Sequence, residues 1–201
     1  MVSRVDRREG LKDRILLAAE ARIVAGGVAT LRARDVMADA GAALGGLYNA
    51  FADLDDVVLH VNSRTLGRLR AALAEAVAGE PDPARALHAL ALAYLAFAQT
   101  HRSLWSALFE YPYASRRPMP DWHLAEQGEL LLQIVEPLRG VRPDWSQDML
   151  VLRARTLFGA IHGIVWTSLE ERFVGISAES LAAEIAAFVD VIVTGTSRET
   201  P

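Results

Sequence analysis

The residue types that support acid–base, nucleophilic or metal chemistry are scattered along this sequence and form no motif. The chain has no cysteine, which excludes a disulfide framework and a thiolate metal site. Its histidines show neither an HExxH spacing nor an i, i+4 pairing, the arrangements by which one helix face holds zinc. The serines lack the glycine pattern of a nucleophile elbow. The sequence therefore predicts no enzyme, no metal site and no cofactor. The residues considered are His60, His88, His101, His123, His162, Ser103, Ser106 and Ser115.

A more informative pattern runs from Gly27 to Val57 and indicates two short helices joined by a tight turn. Val36 and Met37 supply the inner face of the first helix, and the second helix covers residues 44–49. Gly41 follows the first helix at a position that suits φ > 0, where other side chains are strained. Two helices that cross through so short a turn form a helix-turn-helix, whose second helix can enter the DNA major groove.

This stretch resembles the N-terminal domain of the TetR family of transcriptional regulators. The family pattern is an Ile-Ala-x-x-Ala-Gly-Val-Ser turn followed by Gly-Thr-Leu-Tyr-x-His-Phe. The resemblance implies an all-α fold with a DNA-binding domain over residues 1–54 and an effector-binding and dimerisation domain over residues 55–201. The residues in register with the pattern are Val36, Ala40, Gly41, Gly45, Leu47, Tyr48 and Phe51.

The resemblance also implies which residues of the DNA-binding domain, here called the head (residues 1–54), would meet DNA. Tyr48 would bond a phosphate, and Asn49 could bond adenine through both atoms of its amide. Arg32 and Arg34 flank the first helix of the motif and would add positive charge. The predicted DNA-binding residues are Arg32, Arg34, Leu44, Gly45, Gly46, Tyr48 and Asn49.

The charge distribution is compatible with DNA binding through one end of the molecule. The net charge of the whole chain is −4, but residues 1–50 hold 8 basic and 6 acidic residues, against 13 and 19 in the remainder. A mildly basic head on an acidic body suits a protein that meets DNA with its head. A solvated helix start is the plainer interpretation of the basic cluster, and both interpretations stay open.

Helical periodicity continues to the end of the chain, and about nine helices are expected, with no strand pattern. Asp82 followed by Pro83 is typical of a helix start, and Asp144 with Gln147 resembles a capping box. Glycine and proline mark the ends of the segments. The helices predicted outside the 27–57 motif cover residues 14–27, 55–77, 83–100, 103–109, 121–138, 145–173 and 177–193.

The second half of the sequence predicts a pocket for a small apolar or aromatic effector. Aromatic residues on several helices would surround one interior, and the prolines between Tyr111 and Pro120 indicate a loop that could form a portal. His162 lies among apolar neighbours and could anchor a polar group, although plain core packing is the commoner role of such residues. Part of this region resembles a C-terminal domain of some TetR relatives named for Trp, His and Gly. The predicted pocket residues are Phe97, Trp105, Phe109, Trp122, Phe158, His162 and Trp166.

The helix predicted over residues 145–173 is apolar on almost every side, which indicates that it is covered on more than one side. Gly159 and Gly163 would allow another helix to approach closely. The favoured interpretation is a homodimer, although the same helix could simply be central in a monomer. The predicted dimer-interface residues are Leu152, Gly159, Gly163, Ile185, Phe188 and Ile192.

Together these features predict a cytoplasmic, ligand-responsive repressor that binds a palindromic double-stranded DNA operator as a homodimer. No secretory signal precedes the motif, and the longest apolar run, residues 89–98, is too short to span a membrane. The alternative is a helical ligand-binding protein that has lost operator binding. It is favoured by apolar residues where the family has Ser, Thr, His and Lys, namely Ala43, Gly46, Ala50 and Leu54.

Overall fold

The structure is a computed structural model that describes residues 4–110 and 118–197, with side chains over residues 8–110 and 118–195. Over this part of the chain it holds nine α-helices, one short 3₁₀ turn and no strand, which confirms the predicted all-α class. The α-helices are α1 (Arg4–Gly26), α2 (Ala33–Asp39), α3 (Gly45–Ala50), α4 (Leu54–Ala76), α5 (Pro83–Thr100), α6 (Arg102–Glu110), α7 (Asp121–Val141), α8 (Gln147–Leu169) and α9 (Ala178–Ser197), and the 3₁₀ turn (Val28–Thr30) follows α1.

Two helix starts were predicted from capping residues, and they differ in outcome. The side chain of Asp82 accepts a hydrogen bond from the backbone N–H of Ala84 (2.9 Å), so it caps α5 as predicted. The capping box at Asp144 is wrong. The Ser146 hydroxyl caps α8 by accepting from the N–H of Met149 (3.3 Å). Asp144 accepts instead from the guanidinium of Arg142 at 2.7 and 2.8 Å.

Helix lengths also depart from the periodicity in two places. α1 begins at Arg4, ten residues before the predicted start, because the polar residues before Arg14 continue the helix without an apolar stripe. α8 ends at Leu169, where Glu170 leaves the helix and Glu171 takes a positive φ of 51°. The apolar residues that follow, Phe173 and Val174, lie exposed in the loop to α9.

The described chain forms two compact units, and the division between them falls within α4, between Gly67 and Arg68. The first unit contains α1–α3, the first part of α4, α6 and the first residues of α7. The second contains the rest of α4 and of α7 together with α5, α8 and α9. This division reflects which helices pack together and not which residues share a function. The predicted division of function after residue 54 stays a prediction.

The core of the first unit joins the head to part of α4 and to α6. α1 contributes Ile15, Ala19 and Ile23, which recur every four residues and so lie on one face of the helix. α6 packs directly against α1. A buried hydrogen bond from the Asn62 amide to the carbonyl of Ala107 (3.1 Å) ties α4 to α6. The other helices contribute Val36, Met37, Leu47, Val57, Val58, Val61, Leu104 and Ala107.

The second unit is built on α5, α8 and α9, which pack against one another. α7 approaches α5 closely, since a Cβ added at Gly140 would lie 2.6 Å from Cβ of Pro83. Only glycine therefore fits this crossing. The buried stripes of the two last helices recur every three or four residues, namely Leu150, Ala154, Leu157, Ile161 and Val165 in α8 and Leu181, Ile185 and Val189 in α9.

Among the helices described, α8 is long and apolar enough to cross a membrane when judged by length and composition only. One such helix is weak evidence for a membrane span, because the core helix of a soluble protein meets the same criteria.

Candidate functional site

The turn between α2 and α3 has the geometry of a glycine-terminated helix. Gly41 has φ 64°, as predicted for this position. Its N–H donates to the carbonyl of Ala38 (3.1 Å), and the N–H of Ala42 donates to the carbonyl of Met37 (3.0 Å). These two bonds form a Schellman motif, which satisfies the last carbonyls of α2 while the chain reverses into α3. The motif fixes where α3 begins.

α3 has one buried face and one exposed face. Leu47 and Ala50 point into the core of the first unit. Leu44 and Tyr48, which are 42% and 63% exposed, lie on the outer side, and Asn49 is also exposed. The exposed face therefore carries one phenol, one amide and one aliphatic side chain. The phenol can bond a phosphate, and the amide can bond a base edge.

The two glycines that open α3 lie in different surroundings. A Cβ at Gly46 would lie 3.3 Å from the terminal methyl of Met37, tighter than an ordinary packing contact. Met37 is almost completely buried and stands where the family has a small alanine. The large side chain of Met37 thus fills the space that a side chain at position 46 would need. We call this pair the Met37–Gly46 exchange. Gly45 is exposed, and a Cβ there would meet nothing within 4 Å.

The arginines of the head divide between internal bonds and exposed positions. Arg14 donates from its guanidinium to the carbonyl of Ala40 (3.1 Å) and so holds the end of α2, a role that the sequence analysis missed. Arg32 is exposed and bonds the carbonyls of Ala29 and Leu31 at 3.1 and 2.9 Å. Arg34 is exposed on α2. Arg32 and Arg34 thus lie at the surface of the head, as DNA-contacting residues must.

An exposed ion pair fastens α1 to α2. Arg22 donates to both carboxylate oxygens of Asp39 at 2.6 and 2.9 Å and lies 3.6 Å from a carboxylate oxygen of Asp35. The hydrogen bond from Arg22 lowers the pKa of Asp39, and the same bond raises the pKa of Arg22. The pair also partly neutralises two carboxylates on the head that would otherwise repel phosphate.

The aromatic residues predicted to share one pocket belong to two units. Trp105, Phe109 and Trp122 lie in the first, and Phe97, Phe158, His162 and Trp166 lie in the second. In the first unit Trp105 is completely buried with its ring centroid 5.5 Å from that of Phe109, whereas Trp122 is partly exposed against His60 at 5.1 Å. Of the predicted portal, residues 111–117 lie outside the described residues.

The second unit groups three aromatic rings around His162. The hydroxyl of Tyr94 lies 2.8 Å from Nδ1 of His162, within hydrogen-bond distance. Phe158 stacks on the imidazole with a centroid distance of 5.8 Å and an interplanar angle of 13°. Trp166 lies one turn further along α8, also at 5.8 Å. We call Tyr94, Phe158, His162 and Trp166 the His162 cluster. Tyr94 is one of the aromatic residues that the sequence places around one interior, but it is not among the predicted pocket residues.

Burial lowers the pKa of His162 below its usual value of 6.5, because the charged imidazolium loses solvation. The imidazole is therefore mostly neutral near pH 7. A neutral imidazole has one donor and one acceptor nitrogen, and which of them faces Tyr94 depends on the tautomer. The arrangement suits a neutral polar group held among aromatic faces.

α8 carries an exposed stripe opposite its buried one. Leu152 is 57% exposed, Gly159 is exposed and Gly163 is half-buried, and a Cβ at either glycine would meet nothing within 4 Å. On α9, Phe188 and Ile192 are half-buried. Ile185 is completely buried inside the second unit, so its prediction as an interface residue is corrected to a core residue. Val191, 68% exposed, is the exposed apolar residue of α9 that the sequence analysis missed.

In the described part of the chain, no group of three or more His, Asp or Glu side chains is arranged to hold a metal ion. Three separate features can bind other molecules, namely the exposed face of α3 in the first unit and the His162 cluster and the exposed stripe of α8 in the second.

Comparison with protein families decides the identity of the fold. The family model described as tetracyclin repressor-like, C-terminal domain, matches residues 87–192, which is more than half of the chain. The chain belongs to the TetR family. The matched segment runs from α5 into α9, so it covers the His162 cluster and the exposed stripe of α8. No curated protein matches the chain.

Solved structures share the TetR-family fold over almost the whole chain. A TetR family transcriptional regulator, PfmR, from Thermus thermophilus is 18% identical with a TM-score of 0.64, over 92% of this chain and 100% of that one. One from Bordetella parapertussis 12822 is 17% identical with a TM-score of 0.65, over 89% and 93%. A protein of unknown function from Rhodococcus sp. RHA1 is 22% identical with a TM-score of 0.75, over 92% and 94%. At these identities the likeness concerns the fold.

Proposed function

We propose that this TetR-family protein is a ligand-responsive repressor that binds a palindromic DNA operator as a homodimer in the cytoplasm, with no enzymatic activity. The observation that carries the proposal is the exposed face of α3, which presents Tyr48 and Asn49 beside a glycine-terminated turn. Membership of a family of DNA-binding regulators supports the same interpretation. A gel shift with the DNA that flanks the gene tests it directly.

Two variants of α3 distinguish a contact with the DNA phosphate from recognition of a base. Tyr48→Phe removes the hydroxyl and should weaken binding to every duplex about equally, because a phosphate bond carries no sequence information. Asn49→Ala should lower affinity for the operator by roughly 1–3 kcal/mol per half-site and relax preference at one position. Gln127→Ala, which removes an exposed amide from α7, is the matched control and should leave binding unchanged. Equal losses on operator and random DNA would remove the reading role of Asn49.

The dimer is supported by the exposed stripe of α8 and by Phe188, Val191 and Ile192 of α9. A two-fold dimer places two copies of α3 on successive half-sites, which must lie about 34–36 Å apart. Gly163→Leu should then yield monomers, because a bulky side chain holds the two copies of α8 apart. Gly128→Leu in α7 is the control, since Gly128 also has open space around it. Sedimentation that finds a native monomer would contradict this part of the proposal.

The effector site is best supported at the His162 cluster, where aromatic rings surround one neutral polar group. An apolar or aromatic compound that binds there would favour one spacing of the two heads and so change affinity for the operator. It should also quench the fluorescence of Trp166 and raise the melting temperature. His162→Leu should keep the fold and blunt the response to compounds that carry a polar substituent. Unfolding of this variant, with no melting shift by any compound in the wild type, would make His162 a core residue.

A ligand-binding protein without operator affinity remains the second candidate. It is favoured by the sparse polarity of α3, where Gly46 and Ala50 replace two polar residues of the family pattern and Ala50 is buried. Effector binding in the absence of any DNA binding would select this candidate.

A further inference from the structure

The residues that lead into α3, together with its first residue, present no polar side chain to their surroundings. Ala43, Leu44 and Gly45 are all exposed, and their side chains are a methyl group, an isobutyl group and a hydrogen. In the major groove the apolar feature that distinguishes one base pair from the others is the C5 methyl of thymine. A surface of this kind can therefore read a thymine, and it has no donor or acceptor for the edge of guanine, cytosine or adenine.

Gly45 has no structural reason to be glycine in the free protein. Its φ is not among the positive values, and an added Cβ would meet nothing within 4 Å. By contrast, a Cβ at Gly46 would crowd the terminal methyl of Met37, and Gly41 is favoured by its positive φ. Glycine in a helix is less stable than alanine, but its missing side chain allows another molecule to approach the backbone closely.

We propose that Leu44 reads the C5 methyl of one thymine in each operator half-site, and that Gly45 lets α3 lie deep enough in the groove for this contact. The inference rests on the proposed DNA-binding function and assigns the chemistry of the sequence that it recognises. Asn49, exposed on the same short helix, bonds adenine, so the half-site contains an A·T-rich step under α3.

The test begins with the full-length protein and a pool of duplexes with a randomised central segment, from which tight binders are selected. Each thymine of the selected duplex is then replaced in turn by deoxyuridine, which removes only the C5 methyl. At one position in each half-site the affinity should fall about fourfold, the effect of burying one methyl group. Replacement at both half-sites should lower it by about 15-fold. Thymines elsewhere in the duplex serve as internal controls.

Variants of Leu44 assign the effect to this residue. Leu44→Ala removes the contact from both subunits, so it should lower affinity for the thymine duplex by about as much as replacement at both half-sites. The variant should no longer distinguish thymine from deoxyuridine. The effects of Leu44→Ala and of the deoxyuridine replacement should therefore not add, as expected when two changes remove the same contact. Leu44→Met keeps an apolar side chain and should retain most of the discrimination. Since Leu44 is exposed, both variants should melt near the wild-type temperature.

Gly45→Ala tests the close approach. It should lower affinity for the thymine duplex about tenfold or more and should abolish the difference between thymine and deoxyuridine duplexes, because the methyl group keeps α3 out of the groove and Leu44 away from the thymine. The melting temperature should stay the same or rise by up to about 3 °C. Gly128→Ala, at an exposed open position in α7, should raise the melting temperature without changing DNA affinity.

The outcomes separate the two levels of the proposal. If no duplex is enriched, the proposed DNA-binding function fails, and this inference fails with it. If the wild type binds a selected duplex but no deoxyuridine replacement weakens binding, the thymine contact is wrong while the function stands. Discrimination that persists in Leu44→Ala would overturn the assignment to Leu44, and unchanged affinity of Gly45→Ala would overturn the role of Gly45.

Discussion

The first unit packs an aliphatic core around α1, whereas the second unit gathers three aromatic rings around a histidine. In the first, Ile15, Ile23 and Val36 are completely buried, and Phe51 is the one aromatic residue of the core cluster. The other rings of the first unit lie outside this cluster, with Trp105 against Phe109 and Trp122 against His60. In the second, Tyr94, Phe158 and Trp166 surround the half-buried His162. Aliphatic side chains have few rotamers and no polar atoms, so they specify one arrangement. Flat rings around a polar atom leave faces and a hydrogen-bonding group that another molecule can use.

The difference indicates how the two units divide the proposed task. A head that reads DNA must hold α3 at a fixed orientation, and the Met37–Gly46 exchange and the Schellman turn serve that purpose. A unit that answers an effector needs interactions that change when a ligand arrives. This division requires that the first unit is rigid through close packing and that the His162 cluster is held by polar interactions that a ligand can replace.

The largest effect is expected at the Met37–Gly46 exchange. Met37→Ala should lower the free energy of unfolding by about 2–5 kcal/mol, since it removes a buried side chain and leaves a cavity. Gly46→Thr should cost about 1–3 kcal/mol, because the new side chain meets the methyl of Met37. The double variant should cost clearly less than the sum of the two, as measured by denaturant unfolding. Strict additivity would show that the two positions do not share the space.

A smaller loss is expected where α7 meets α5. Gly140→Ala should lower the free energy of unfolding by about 1–3 kcal/mol, because the new Cβ would meet Pro83 and the helices must shift. Gly128→Ala on the same helix should instead stabilise by up to about 1 kcal/mol. This pair shows whether the second unit also has a rigid part away from its aromatic cluster. A neutral Gly140→Ala would mean that this crossing adjusts freely.

The hydrogen bond between Tyr94 and His162 should have a modest effect on stability and a larger one on the response to ligand. Tyr94→Phe and His162→Leu should each cost about 1 kcal/mol, since each leaves the other group without this bond. The double variant should cost little more than either single change, because both polar groups are gone. Thermal unfolding and a ligand titration measure the two effects. A double variant as unstable as the sum of the singles would indicate that His162 is held by other contacts.

The smallest effect is a pH dependence of stability in the second unit. Burial lowers the pKa of His162 in the folded chain below 6.5, so the unfolded chain takes up a proton first as the pH falls. The stabilising contribution of the neutral imidazole is thus complete above about pH 6.5 and is lost as the pH falls through the folded pKa. Melting temperatures between pH 8 and pH 5 should fall less steeply in His162→Gln than in the wild type. Parallel profiles would place the pH dependence elsewhere.

The sequence predicted two features well, one in the head and one at the start of α5, because their signals are local. Gly41 needs a positive φ that few other residues tolerate, and Asp82 beside Pro83 caps a helix through atoms two residues apart. Such features depend on neighbouring residues alone, so they can be identified without the rest of the fold. The capping box at Asp144 was wrong because other residues close in sequence made competing contacts. A nearby arginine competed for its carboxylate, and Ser146 took the cap.

The aromatic residues mark the limit of prediction from sequence. Periodicity placed Trp105, Phe158 and Trp166 on apolar helix faces, but it could not say that the first belongs to one unit and the others to the second. Periodicity likewise put Ile185 on an apolar face of α9, whereas only packing made it core and left Val191 exposed.

The sequence by itself determined the all-α class, the glycine-terminated turn, the start of α5 at Asp82-Pro83 and the TetR resemblance. The first three follow from backbone preferences and from contacts within a few residues, and the resemblance follows from residues in register with the family pattern. The tertiary structure decided that Met37 fills the space beside Gly46, that Arg14 holds the end of α2, and that Tyr94 bonds His162 across 68 positions of the chain. Such contacts join residues that are distant in sequence, and the side chain that occupies a shared volume is known only when the helices are packed.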